Sequence, residues 1–267
     1  MGFLAALMVA AALPATLTLA HGDEAASVSV SDFKADFSTA QIVPEVLAAF
    51  SPSVAFYAGF ASADGDAALL TPGMALTTPE ATTPIEFSVE SIINGANVTD
   101  TSRFIIYMIG PDVPSRSTPT SRNVRHFLAG NYTVSSSNSS ILTTAAKLTN
   151  SSAATNEYSA PTPKANTGVH RYVYLLYVQP KKFDNSGFES IGLNVSSRMN
   201  FNLTTFRAQA GLGPAIGGTF FTIDTASNST SNTTAPAKTG SADTTVCISS
   251  AIVLMALLGS VIQIFGL

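Results

Sequence analysis

Two stretches decide the fold: residues 103–109, Arg103-Phe104-Ile105-Ile106-Tyr107-Met108-Ile109, and residues 172–178, Tyr172-Val173-Tyr174-Leu175-Leu176-Tyr177-Val178. Both are short, rich in aromatic and β-branched residues, and followed closely by Gly110-Pro111 or Pro180. Such runs read as strands. Neither alternates apolar with polar residues, so both faces of each strand must be covered, which predicts two central strands. Working outward, Val54 to Phe60 and Ile85 to Val89 share the composition and are predicted as further strands. Two helices are predicted. Pro44 suits a first-turn position ahead of Glu45 to Phe50, because a proline there forfeits no hydrogen bond. From Asn202 to Ala210, Leu203, Phe206 and Ala210 recur at helical spacing, with Asn202 as N-cap and Gly211 just past the end.

The chain has 267 residues, a formal charge of −4 and 30 charged side chains, 11% of the total and under half the usual share. An acidic chain lacks the basic face that phosphate neutralisation requires, which excludes nucleic acid as a partner. A lone cysteine, Cys247, excludes an intramolecular disulfide framework, a zinc ribbon and a CxxC redox pair.

Both ends read as targeting signals. Residues 1–22 run apolar from Phe3 to Leu13 and then reach small residues, a secretory signal peptide cut after Ala20 or Gly22. At the other end Gly240-Ser241-Ala242, a short polar spacer and an uncharged tail to Leu267 fit a glycosylphosphatidylinositol (GPI) attachment signal, with residues 244–267 removed and lipid joined at Gly240 or Ser241. The outer leaflet of the plasma membrane is then the expected location, and cleavage takes Cys247 with it. Residues 225–243 are nearly all small and polar, as in a flexible O-glycosylated stalk. A second polar stretch, 135–166, is predicted as a long glycosylated surface loop within the domain 23–224. Eight sequons, at Asn97, Asn131, Asn138, Asn150, Asn194, Asn202, Asn228 and Asn232, fit a secretory route. Of these Asn202 is expected to be empty, because a glycan would compete with its cap.

Two of the three histidines lie beside predicted strands, in Arg125-His126-Phe127-Leu128 and in Gly168-Val169-His170-Arg171-Tyr172. Together with Gly110-Pro111-Asp112-Val113-Pro114-Ser115, these segments resemble the DPDxPS, HHFL and GxHRY motifs of the phosphatidylethanolamine-binding protein (PEBP) family. Ile42-Val43-Pro44-Glu45-Val46-Leu47 with Phe50-Ser51-Pro52 is similar to that family's opening segment. Phe201-Asn202-Leu203 and the stretch from Gly211 to Phe221 resemble its C-terminal helix and closing strand. The resemblance covers about residues 32–224 and follows the family's order; the stalk and anchor have the style of fungal cell-surface proteins.

The resemblance implies a mainly β fold, a large antiparallel sheet packed on a smaller one with a few short peripheral helices. It also implies a pocket for phosphate or a phospholipid headgroup, lined by Asp112, Pro114, His126, His170, Tyr172 and Phe221. A histidine near a carboxylate has its charged form favoured, so the two rings are expected to give charge-assisted hydrogen bonds to phosphate oxygens. Three residues depart from the family pattern. Gly110 stands for an aspartate, Val124 for a tryptophan and Phe221 for a tyrosine. Losing the aspartate weakens the end of the site that would hold an ammonium, so simple phosphate is expected to bind no worse than phosphoethanolamine.

No standard catalytic motif is present, neither GxSxG nor HExxH, and neither cofactor nor metal is implied. Ser115 is expected to serve a turn hydrogen bond. Other readings stay open: a serine carboxypeptidase inhibitor, a structural cell-wall glycoprotein with a degenerate pocket, and a copper monooxygenase-like protein whose histidine brace would start at His21.

Overall fold

The structure is a computed structural model describing residues 27–61, 67–90, 101–184, 188–194 and 196–226. Nine strands are described: β1 (Ala55–Ala61), β2 (Ala67–Leu69), β3 (Met74–Ala75), β4 (Pro84–Glu90), β5 (Phe104–Gly110), β6 (Val124–Asn138), β7 (Ala146–Asn150), β8 (Val169–Val178) and β9 (Gly217–Asp224). They join in the order β2-β1-β4-β7-β6-β5-β8-β9-β3, antiparallel except for β3 beside β9. The sheet curls: the N–H groups of Ser53 and Val54, just before β1, donate to the carbonyl of Ile216, just before β9, at 2.8 and 3.0 Å. The mainly β fold with a few short helices is the architecture expected from the sequence.

β5 and β8 are paired in the interior of the sheet, as their apolar runs predict. Their odd-numbered residues, among them Ile105, Tyr107, Val173 and Leu175, join one core with Phe33, Phe37 and Phe206. Their even-numbered residues, among them Ile106, Met108, Tyr172 and Tyr174, join a second core on the other face with Phe56, Phe87 and Phe221. Side chains of a strand alternate faces, so a strand wedged between two cores must be apolar throughout.

Three helices flank the sheet. α1 (Val30–Thr39) was not anticipated; Ser29 caps it, its Oγ accepting from the Asp32 N–H at 3.1 Å, and Phe33 and Phe37 bury one face. The signal was there, since a serine cap followed by aromatics four apart is a helix start. Instead of a helix over 45–50, α2 (Ile42–Glu45) is a single turn. Val43, preceding Pro44, is extended at φ −103°, ψ 121°, where the proline ring disfavours helical geometry. α3 (Leu203–Ala210) is as predicted: the Asn202 side chain accepts from the Thr205 N–H at 2.9 Å, and Gly211 closes the helix at φ +66°.

Residues 135–166 are not one long loop. β6 runs on to Asn138, and β7 pairs with both β4 and β6. The few aliphatic residues, Ile141, Leu142 and Leu148, are all buried. Two of the serines that make the stretch look like a loop reach a buried carboxylate: Glu86 accepts from Ser139 Oγ and Ser140 Oγ (2.7 Å), and also from Ser88 Oγ on its own strand (2.7 Å), with Lys147 Nζ at 3.3 Å. The signal segments, the stalk, the anchor signal beyond Ala226, and Asn97, Asn228 and Asn232 lie outside the described residues.

Candidate functional site

The motif residues meet at one end of the sheet, where β5 finishes and β6 and β8 begin. Gly110, the last residue of β5, pairs with Val124, the first of β6. Between them the register slips: Met108 faces Phe127 and Ile109 faces Arg125, leaving His126 without a partner on β5. Such a bulge re-aims the side chain of its extra residue. The His126 ring meets Tyr172 edge-on at 5.3 Å, and Tyr172 stacks on Phe221 at 5.1 Å, its cross-strand partner on β9. His170 lies two residues before Tyr172 and so on the same face of β8. A Cβ at Gly110 would stand 3.0 Å from His126 Nε2 and 3.3 Å from Tyr172, so glycine is what lets both rings pack against the end of β5. Pro114 is exposed, outside this buried group.

The Asp112 carboxylate is held in a buried ionic network. It is engaged by Arg171, through Nε to Oδ2 at 2.9 Å and Nη2 to Oδ1 at 2.7 Å, with the Arg171 main-chain N–H also donating to Oδ2 at 2.9 Å. Arg171 Nη2 further reaches Glu45 at 2.6 Å, and Arg122 Nη2 lies 3.5 Å from both carboxylates. Burial works to raise the Asp112 carboxyl, but the hydrogen bonds and charge of Arg171 outweigh it and hold the group below the usual carboxylate range. Arg171 and Glu45 lie in the quoted motifs, yet nothing in their spacing indicates that they would form this network.

Burial lowers both histidines below the ordinary value. For His126 the carbonyl of Ser159 opposes the shift and the charge of Arg198 adds to it; for His170 the nearby Asp112 opposes it. His126 Nδ1 lies 2.7 Å from the Ser159 carbonyl, which can only accept, so Nδ1 carries the proton and the neutral ring presents a lone pair at Nε2. The Ser159 N–H and Arg198 Nη1 both donate to the His126 carbonyl at 2.9 Å, clamping the strand. His170 Nε2 lies 2.6 Å from Thr167 Oγ1, whose own proton goes to the Lys164 carbonyl at 2.5 Å; His170 Nε2 is therefore the donor of that pair. Ser115 Oγ makes turn contacts with Thr118, accepting from its N–H at 3.2 Å. Among the described residues no cluster of three metal-ligating side chains is found.

Known proteins share this arrangement of strands. The chain is similar to a carboxypeptidase Y inhibitor, solved in complex with its cognate proteinase, with a TM-score of 0.57 at 21% identity over 73% of this chain and 96% of the inhibitor. It is also similar to a phosphatidylethanolamine-binding protein from Plasmodium vivax, with a TM-score of 0.51 at 20% identity over 71% of this chain and 95% of the other. At those identities the likeness is one of fold. In sequence it is 31% identical over 119 residues to a 26 kDa secreted antigen of Toxocara canis, which is 45% of this chain and 41% of the antigen. The chain spans less than two thirds of the length of the curated relatives it matches. The family model described as phosphatidylethanolamine-binding protein matches residues 62–221, well over half the chain and every strand from β2 to β8. On that match the chain belongs to the phosphatidylethanolamine-binding protein family.

Proposed function

We propose that the protein is a secreted, glycosylated, GPI-anchored surface protein without enzymatic activity, whose PEBP domain binds phosphate-type anions or phospholipid headgroups at the His126–Tyr172–Phe221 stack. The observation that supports this reading is the meeting of His126 with Tyr172 and Phe221 at the β5–β6 bulge, with Nδ1 of His126 on the Ser159 carbonyl and Nε2 turned toward position 110. Because that nitrogen is a lone pair in the neutral ring, an anion binds only together with a proton, which makes the ring a charge-assisted donor. The missing carboxylate at position 110 leaves nothing there to pair with the ammonium of phosphoethanolamine. Calorimetric titration with phosphate and with phosphoethanolamine tests the reading. Phosphate should bind at least as well, and binding should vanish when His126 and His170 are both replaced by Ala. Unchanged binding in that double variant would instead favour a structural glycoprotein with a degenerate pocket.

The fold shared with a carboxypeptidase Y inhibitor supports a second reading, a binding module for a serine carboxypeptidase. An inhibition assay with purified carboxypeptidase, using the chain from residue 23, separates the two, since the histidine variants would leave inhibition intact. The copper reading rests on His21, outside the described residues, and is tested by mass spectrometry of the mature N-terminus; a start at Asp23 removes it.

A further inference from the structure

Five of the sequons fall on described residues, and the carboxamides of three of them do different work. Resting on the secretory route proposed above, we infer that the fold sorts them: Asn202 and Asn194 carry N-linked glycans in the secreted protein, whereas Asn131 stays unmodified because its carboxamide cross-links three strands.

The transfer forms a bond from Nδ2 to the anomeric carbon of an oligosaccharide and breaks that carbon's bond to the pyrophosphate of a lipid carrier. Nδ2 loses one proton, and the lipid pyrophosphate leaves. The product is a secondary amide, planar and trans like a peptide bond, so the sugar lies on the same side of the C–N bond as Oδ1. A glycan therefore needs open space beside Oδ1 and one Nδ2 hydrogen to spare.

Asn131 lacks that space. It sits within β6, half-buried, at φ +61°. Its Oδ1 accepts from Arg103 Nη1 at 2.9 Å and Gln179 Nε2 at 2.8 Å, so the side a sugar would occupy is filled. Its Nδ2 donates to Ser152 Oγ at 3.1 Å, and its main-chain N–H donates to Gln179 Oε1 at 2.8 Å. These bonds tie β6 to Arg103 at the start of β5, to Gln179 at the end of β8 and to the turn after β7.

Asn202 is the reverse case, and here the inference departs from the expectation that its cap would exclude a glycan. The cap uses Oδ1, which accepts from a single main-chain N–H, that of Thr205. The side chain is exposed, and both Asn202 and Thr204, the two residues that define the sequon, line a solvent-open cleft of about 270 Å³. Asn194 is likewise exposed, its Oδ1 accepting, among the described residues, from the main-chain N–H groups of Ser196 and Ser197, both at 3.1 Å. Cap and turn survive modification at Nδ2.

The test is glycopeptide mass spectrometry on full-length protein secreted from a eukaryotic host, made once with its own leader and once with an unrelated, proven leader. Glycans are expected at Asn194 and Asn202 and none at Asn131. Thr204→Ala and Ser196→Ala, which spare the asparagines, should each remove one glycan, and Thr133→Ala should remove none. In unglycosylated protein from bacteria, Asn131→Ala should lower Tm by about 5 °C, the scale set by loss of a buried hydrogen-bonded side chain. Thr133→Ala should leave Tm close to the parent. A glycan on Asn131 in protein of native Tm, or bare Asn194 and Asn202 behind the proven leader, would overturn the inference. The expected pattern from the proven leader alone would sink the secretory reading and uphold the sorting.

Discussion

Asp112 and Arg171 form a buried, two-pronged ion pair at the mouth end of the sheet, with contacts of 2.9 and 2.7 Å and side chains 1% and 2% exposed. Asp112 stands in the loop after β5 and Arg171 on β8 between His170 and Tyr172, so the pair fixes the loop against the strand that carries the site. It acts as a buttress behind the His126–Tyr172–Phe221 stack.

Removing one partner strands a charge. Asp112→Asn should lower stability by about 3 kcal/mol, because the Arg171 guanidinium keeps only Glu45 to compensate its burial. Urea denaturation measures this, and a loss near zero would show that the pair is solvated in solution.

A second carboxylate sets the acid limit. Burial tends to raise Glu86, but Ser139, Ser140, Ser88 and Lys147 outweigh it and pull the group down to about 2. A carboxylate depressed in the folded state contributes stability that is complete above its unfolded value, near 4.3, and is lost as pH falls through the folded one. Stability should therefore drain between about pH 4 and pH 2, and Glu86→Gln should flatten that part of the profile, read by thermal melts across the range. Ser139→Ala, which deletes one donor to the carboxylate, should cost about 1.5–3 kcal/mol at neutral pH.

Anion binding should depend on pH with the sign of proton uptake. His126 is lowered chiefly by burial and is neutral at pH 7, so an anion that requires the charged ring binds more tightly as pH falls. Phosphate affinity should rise by up to about tenfold per pH unit from pH 8 downward, with a proton taken up per site in calorimetry run in buffers of different ionisation heat. A flat profile would show that His126 does not hold the anion.

Position 110 should set the choice of headgroup. In Gly110→Asp the new Cβ stands 3.0 Å from His126 Nε2, so the ring must give by a few tenths of an ångström and gains a carboxylate neighbour. The His126 pKa should rise, followed by NMR, and preference should move toward phosphoethanolamine by about fivefold, the worth of a partly exposed ion pair. If the ratio of the two affinities stays put, the carboxylate has no part in selecting the ammonium.

Much of this molecule is written locally. The apolar runs of β5 and β8 could only be strands covered on both faces, and Asn202 with Gly211 brackets α3 because cap chemistry is a matter of adjacent residues. Local reading failed where a residue's role depends on a distant partner. The serines of 135–166 have loop composition, but two of them, Ser139 and Ser140, close on Glu86 across more than fifty residues. Val43 has helix-compatible neighbours until Pro44 is taken into account.

The motifs implied, through their resemblance to the family, that His126, His170, Asp112 and Tyr172 share one region, and the pairing of β5 with β6 and β8 is what brings them there. What only the tertiary structure decided was the state of those groups: Asp112 claimed by Arg171, His126 donating to the Ser159 carbonyl, Asn131 held by Arg103 and Gln179, and Asn202 exposed with its Oδ1 on the Thr205 N–H. A residue's type is local, whereas its protonation and its spare hydrogen bonds are fixed by burial and by partners that arrive from elsewhere in the chain, which no stretch of sequence contains.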